Sequence, residues 1–303
     1  MGKLYLSITW AIIITAALFP EFSRPRAEDS PGLTIVEADS TLSGLKDPLG
    51  ISAGMRGGLY VADGMSGKVF KYAQGEDRVE FPVPERFNSI YPVDVVAESA
   101  PFVYVLDYSS GKVLRYDYRG AYLDVLISFD SFVPASISAG SGGSFILTDL
   151  ENNSVMVLNP LLDIELEIEG YGWEKGFFNQ PAGAAILRDG RLAVADTGNR
   201  RVQIFSSSGA FMSELASPDG DGFSSPRSIC CDREGNIYVA DPERGAVFIY
   251  SGSAEFSTMI DSYSGKKISP SAVTIDLEDR LYVADLASSS VLICRLVYPD
   301  NEP

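Results

Sequence analysis

Histidine is absent from all 303 residues. That removes the commonest general base and the commonest metal ligand, and excludes a Ser-His or Cys-His nucleophile. Cysteine is scarce: Cys230, Cys231 and Cys294 are an odd number and make no disulfide framework. Cys230 and Cys231 are neighbours in a strand-like run, so their side chains should point to opposite faces. A bridge from either one to Cys294 stays open. No basic neighbour in the sequence would lower the thiol pKa of Cys230. Basic residues are in deficit, 24 Lys and Arg against 41 Asp and Glu, for a formal net charge of −17. Such a field repels phosphate backbones and anionic lipid, so nucleic acid is not an expected partner. Its simplest service is solubility.

Long apolar runs are absent except for Leu4 to Phe19. Lys3 precedes that run and Pro20 ends it, the pattern of a secretory signal, and it falls short of the ~20 residues of a membrane span. Small residues allow cleavage after Ala17 or after Ala27. We therefore divide the chain into a signal peptide, 1–27, and a mature domain, 28–303. A periplasmic or extracellular location follows, without membrane insertion after cleavage. A retained anchor is the alternative.

What the sequence does contain is a repeat. Prolines stand at Pro48, Pro92, Pro134, Pro181, Pro226 and Pro270, and each is followed 15 residues later by an aspartate: Asp63, Asp107, Asp149, Asp196, Asp241 and Asp285. Six residues after each aspartate comes a valine, from Val69 to Val291. The units are 44, 42, 47, 45 and 44 residues apart. A period of this length, filled with short β runs, marks a propeller blade. One strand begins after each proline, a second ends at the aspartate, a third starts at the valine and a fourth precedes the next proline. The last unit runs out before its fourth strand. The run Leu33 to Glu37 can supply it, closing the ring and removing an exposed edge. The fold class is thus all-β: a six-bladed β-propeller with four-stranded blades, closed by an N-terminal strand.

One unit is especially telling. It contains Gly176-Phe177-Phe178-Asn179-Gln180-Pro181 and then Ala195-Asp196-Thr197-Gly198-Asn199-Arg200-Arg201-Val202-Gln203-Ile204-Phe205. This resembles an NHL repeat almost residue for residue, and the other five units keep the same skeleton over about residues 33–297. The resemblance implies the propeller fold and a bacterial, exported setting. It implies little about activity, because the family includes receptors, scaffolds, RNA binders and occasional lyases.

The aspartates tempt a catalytic reading, but six identical placements around a ring serve the repeat. Each carboxylate should accept backbone N–H groups of the turn that follows. The first strand of each blade lines the central channel. Positions three and five after the proline are mostly apolar and belong to packing between sheets. Positions two and four are small and nearly uncharged, with Asp94 the one carboxylate among them. Metal-dependent propeller enzymes need several converging ligands in that channel. We therefore expect no catalytic residues, no metal, no cofactor and no enzyme activity. Glu98, Asp232 and Asp276, near the opposite exit, read as turn residues.

The remaining signal is on the rim where chain enters the first strands. Tyr91, Tyr108, Phe132, Trp173 and Phe177 lie there, with Asn199, Arg200 and Arg201 in the turns. Aromatics and arginine over a concave rim suit recognition. The competing role for such aromatics, Phe178 and Phe223 above all, is to plug gaps between blades. The expected function is an extracytoplasmic binding or scaffold propeller taking a protein, peptide or glycan of the cell envelope. The alternatives are a metal-assisted hydrolase or lyase of the gluconolactonase-like type and a purely structural module.

Overall fold

The computed structural model describes residues 33–54, 57–97, 101–128 and 133–298. The signal segment, its cleavage sites, Glu98 and Phe132 lie outside the described residues. Six four-stranded antiparallel sheets form the molecule, with one small extra hairpin, Ser262–Tyr263 against Lys266–Lys267. Each sheet is one sequence repeat. Blade one runs Pro48–Ala53, Gly58–Asp63, Lys68–Ala73 and Val79–Phe81; blade four runs Pro181–Ile186, Leu192–Asp196, Arg201–Phe205 and Phe211–Glu214. The order within each is a meander, as short turns between antiparallel strands dictate.

Blade six is the exception that closes the ring. Its outer strand is Thr34–Leu42, paired antiparallel to Ser290–Val297 from Thr34 opposite Val297 to Leu42 opposite Val291. The strand is longer than the run expected from sequence, and a register shift between Glu37 and Thr41 lets it follow the partner. Beyond the pairing, Glu37 accepts hydrogen bonds from the backbone and hydroxyl of Ser264 at 2.9 and 3.2 Å. Tyr298 donates to the buried Asp232 of blade five at 2.8 Å, so both ends of this sheet are held by their neighbour.

There is one hydrophobic core for each gap between blades. Ile51, Val95, Ile137, Ala184, Ile229 and Val273, three residues after their prolines, fall one into each of six clusters. Phe178 and Phe223 are fully buried, in the clusters between blades three and four and between blades four and five. They are the plugs. The adjacent cysteines diverge as strand geometry requires: Cys231 packs toward blade four and Cys230 toward blade six. Cys294 is buried and its thiol is pushed up to about 12 by desolvation, the behaviour of a core residue rather than a nucleophile.

The proline at the head of the first strand has a consequence that strict alternation hides. In five blades it pairs with the repeat's aspartate, as Pro48 does with Asp63, and a β-bulge follows at once. In blades one to four the residue just after the proline, Leu49, Val93, Ala135 or Ala182, is thereby turned toward the channel mouth, whereas Ser271 of blade six is buried and donates to Pro48 O and Ala284 O. In blade five the regular strand starts only at Ser228, and Arg227 takes the place at the mouth, its N–H donating to Ala240 O at 2.9 Å.

Candidate functional site

The six aspartates are structural. All are buried to 2% exposure or less. Asp63 accepts from the N–H groups of Lys46 and Asp47, and Asp241 from those of Ser224, Ser225 and Arg244. Each carboxylate thus fastens the segment leading into the first strand to the turn after the second. Charge-assisted bonds of this kind make the face carrying the turns a fixed platform.

Below that face the inner strands of neighbouring blades pack directly on one another and form the waist of the ring. A Cβ on Gly50 would lie 2.4 Å from Asp94 Cα, and one on Gly183 would lie 2.1 Å from Arg227 O, so glycine is required at both contacts. Side chains in the waist stitch blade to blade. Ser52 accepts from Ala97 N, Asp94 from Ile137 N, Ser228 from Val273 N and Thr274 from Ala53 N, at 3.0–3.3 Å. Asp94 also accepts from Val95 N at 2.9 Å. Its carboxyl is pushed up to about 6 by desolvation, against the pull of the bonds from Ile137, Val95 and Ser136 and of the Arg227 charge.

A divalent cation would need several converging oxygen ligands. Both Asp94 oxygens already face backbone N–H groups, and no group of three or more Cys, Asp and Glu among the described residues converges to hold a metal ion. The channel residues do not fit a metal. Asp232 and Asp276 sit in turns on the opposite face: Asp232 accepts from Glu234 N, Asn236 N, Tyr238 and Tyr298, and Asp276 from Glu278 N, Arg280 and Tyr282.

A cavity of about 820 Å³ opens at the mouth above the waist, bounded by Leu49, Val93, Ala135, Ala182 and Arg227 just after their prolines, and by Asp47, Tyr91, Tyr108, Thr197 and Leu286. Tyr91 and Tyr108 meet edge to face, centroids 6.2 Å apart, and Tyr91 donates to Asp47 at 3.1 Å. Burial, then the Asp47 bond and charge, raise the Tyr91 hydroxyl above its ordinary pKa. Arg227 is half-buried, and its guanidinium makes no hydrogen bond or ion pair among the described residues. A second cavity of about 360 Å³ lies toward the other exit, lined by Asp94, Ser136, Ser138 and Cys230 among others, and it shares no residue with the mouth.

The residues expected at the site from sequence divide into two groups. Tyr91 and Tyr108 form a wall of the mouth. Trp173 and Phe177, with Tyr171, stand out from a loop of blade four, Trp173 79% exposed. That loop is braced by Asn199, which donates to Gly172 O and to Asp196, and by Arg201, which reaches Asp196, Glu214 and the carbonyls of Glu174 and Phe177. Arg200, in the left-handed region at φ 57°, donates to Phe223 O. Asn199, Arg200 and Arg201 therefore hold the platform. Arg227, which counting by twos along the strand passes over, is the cation of the mouth; its place directly after the repeat proline Pro226, equivalent to Leu49, Val93, Ala135 and Ala182, was the signal that would have found it.

A sequence model of the NHL repeat matches residues 178–205. That span is the buried Phe178 plug, the Asp196 clamp and the bracing turn just described, and the other five blades repeat its register. The chain is an NHL-repeat β-propeller. No curated protein matches the sequence. Among solved structures, the NHL propeller is similar to virginiamycin B lyase from Staphylococcus aureus (13% identity, TM-score 0.65, covering 88% of this chain and 100% of that one). It is similar also to a gluconolactonase from Xanthomonas campestris (15%, 0.67, 88% and 90%) and to a chain of a nidogen/laminin complex (13%, 0.59, 73% and 82%). At these identities the likeness is one of fold.

The expectation of no enzyme activity is corrected by these neighbours, two of which are enzymes on nearly the whole of the same ring. The reasoning behind it rested on the missing histidine, on positions two and four after each proline, and on reading Glu98, Asp232 and Asp276 as turn residues. The NHL propeller carries its ionisable cluster one layer higher, where Asp47, Tyr91 and Arg227 border a single cavity. Groups that can polarise or bear charge are present there, outside the channel positions on which the exclusion rested.

Proposed function

We propose that this NHL propeller is an exported ligand-binding protein whose recognition surface is the mouth of the central channel and the aromatic loop of blade four on the same face. The observation that carries the reading is the mouth itself: a roomy cavity with an apolar floor, an edge-to-face tyrosine pair and one cation without an ion partner among the described residues. Pockets of this make-up, mostly apolar with a few converging polar groups, are what ligands occupy. The apolar run after Lys3 supports export, and the net charge of −17 argues against a nucleic acid ligand. A peptide or a protein segment of the cell envelope is the favoured ligand, because rigid aromatics bind at little entropic cost.

Binding of the folded chain to peptide and glycan arrays tests this, compared with Tyr108→Ala and Trp173→Ala. Loss of the ligand set in either variant, at unchanged melting, is the expected result. Retention of every ligand by both variants would sink the reading. A second reading, in which the bound ligand is turned over, is favoured by the enzymes that share the ring. Mass analysis of an array hit after incubation with the chain separates the two.

A further inference from the structure

We propose that the channel mouth reads a carboxylate, and that the ligand enters as the C-terminal end of a peptide with an apolar last residue. The inference rests on the binding reading above and narrows it to one chemistry. A guanidinium removed from bulk water demands hydrogen-bond acceptors, and a planar carboxylate matches its fork with two parallel bonds. Arg227 is such a group: half-buried, lining the mouth and making no hydrogen bond or ion pair among the described residues. On the turns of the same face Arg201 and Arg244 have carboxylate partners and Arg200 has the Phe223 carbonyl, whereas the Arg227 guanidinium has neither kind of acceptor among the described residues. Ser225 lines the same cavity, and its hydroxyl is a second donor type there.

Three further features select the ligand. Asp47 also lines the mouth, and the chain is strongly acidic, which favours a single negative charge over a phosphate dianion. Leu49, Val93, Ala135 and Leu286 supply an apolar floor. The mouth shares no lining residue with the cavity toward the other exit, so a ligand end can be housed in the mouth alone. A terminal carboxylate on Arg227 with its side chain on the floor, beside Tyr91 and Tyr108, uses all of these at once.

The test uses dansyl-labelled peptide mixtures ending in Leu or Phe, made with a free carboxylate or a carboxamide, and the full chain. Fluorescence anisotropy should show the free acid binding about 10-fold or more tighter than the amide, as one charged hydrogen bond or pair commands. Arg227→Gln should fold with an unchanged melt, since its side chain bonds nothing among the described residues, and should erase that difference. Millimolar inorganic phosphate should not compete. Equal binding of acid and amide overturns the carboxylate inference while leaving the binding reading intact. Discrimination retained in Arg227→Gln overturns the role of Arg227, and displacement by phosphate assigns the site to another anion. Absence of binding by either mixture also overturns it, and the array experiment then decides whether the wider reading survives.

Discussion

Blade four and the channel mouth both place arginine and aromatic residues on one face of the ring, yet they use them in opposite ways. In blade four, Arg201 is drawn inward to the fully buried Asp196 at 2.7 Å, with Glu214 and two loop carbonyls completing its bonds. The aromatics above it, Tyr171 and Trp173, are lifted into solvent on a braced loop. At the mouth the aromatics are turned toward each other and the arginine is left with unanswered donors. Residue type alone therefore does not mark a binding group. What distinguishes Arg227 from Arg201 is whether the fold itself supplies the acceptor.

Four experiments break or sharpen that contrast. The largest effect belongs to the frame that both regions share. Removing Thr34–Leu42 leaves the Ser290–Val297 strand as an open edge, and soluble yield should collapse or stability fall by several kcal/mol. Unchanged melting and solubility would refute closure by the N-terminal strand. Next, Asp196→Ala strips Asn179 N, Asn199, Arg201 and Gln203 of a common acceptor. Urea denaturation should report a loss of about 3–5 kcal/mol, the cost of breaking a buried charge pair. Emission from Trp173, the one tryptophan of residues 28–303, should shift as its loop loosens. Normal stability with unshifted emission would deny that Asp196 braces the loop.

The third experiment is a pH titration of the waist. The folded Asp94 holds its proton up to about pH 6, above the ordinary carboxylate value of 3.8. A raised native pKa means that the folded state binds the proton more tightly than the unfolded one, so this stability is complete below pH 3.8 and lost as pH climbs to about 6. Relative to Asp94→Asn, the wild type should lose about 2 kcal/mol across that window. Parallel profiles for the two proteins would show that Asp94 ionises without cost. The smallest effect is Trp173→Ala, whose side chain is 79% exposed: its stability should stay within about 0.5 kcal/mol of wild type while array binding falls. A large drop in stability would mean that the loop depends on the indole.

Much of this was written in the sequence. The Pro-to-Asp interval of 15 residues is the length of two strands and their turn, so it survives every change of side chain around it. Six intervals give six blades, and a last unit without a fourth strand points to the strand that closes the ring. The aspartates were legible as clamps because a ring repeats its structural needs and concentrates its chemistry. The mouth was harder to see. A strict period of two assigns Arg227 to the packing face with positions three and five, but the regular strand of blade five starts only at Ser228, so Arg227 is not bound by that alternation and lines the mouth. Asn199 and Arg201 are the opposite case: polar turn residues whose partners Gly172, Glu174 and Phe177 are set by a loop whose path sequence does not reveal.

The pairing of Thr34–Leu42 with Ser290–Val297 also sets a clock. The strand synthesised earliest in the ring must wait for the one made last, across some 250 residues of chain, before either has its neighbour. Pairings so distant in sequence form slowly, because the loop entropy is lost before the contact rewards it. Until then the two sides of the unfinished ring are unsatisfied edges, competent to pair with another chain. The same register that gives the finished ring its even circumference thus makes the interval before closure the most vulnerable period in the life of the molecule.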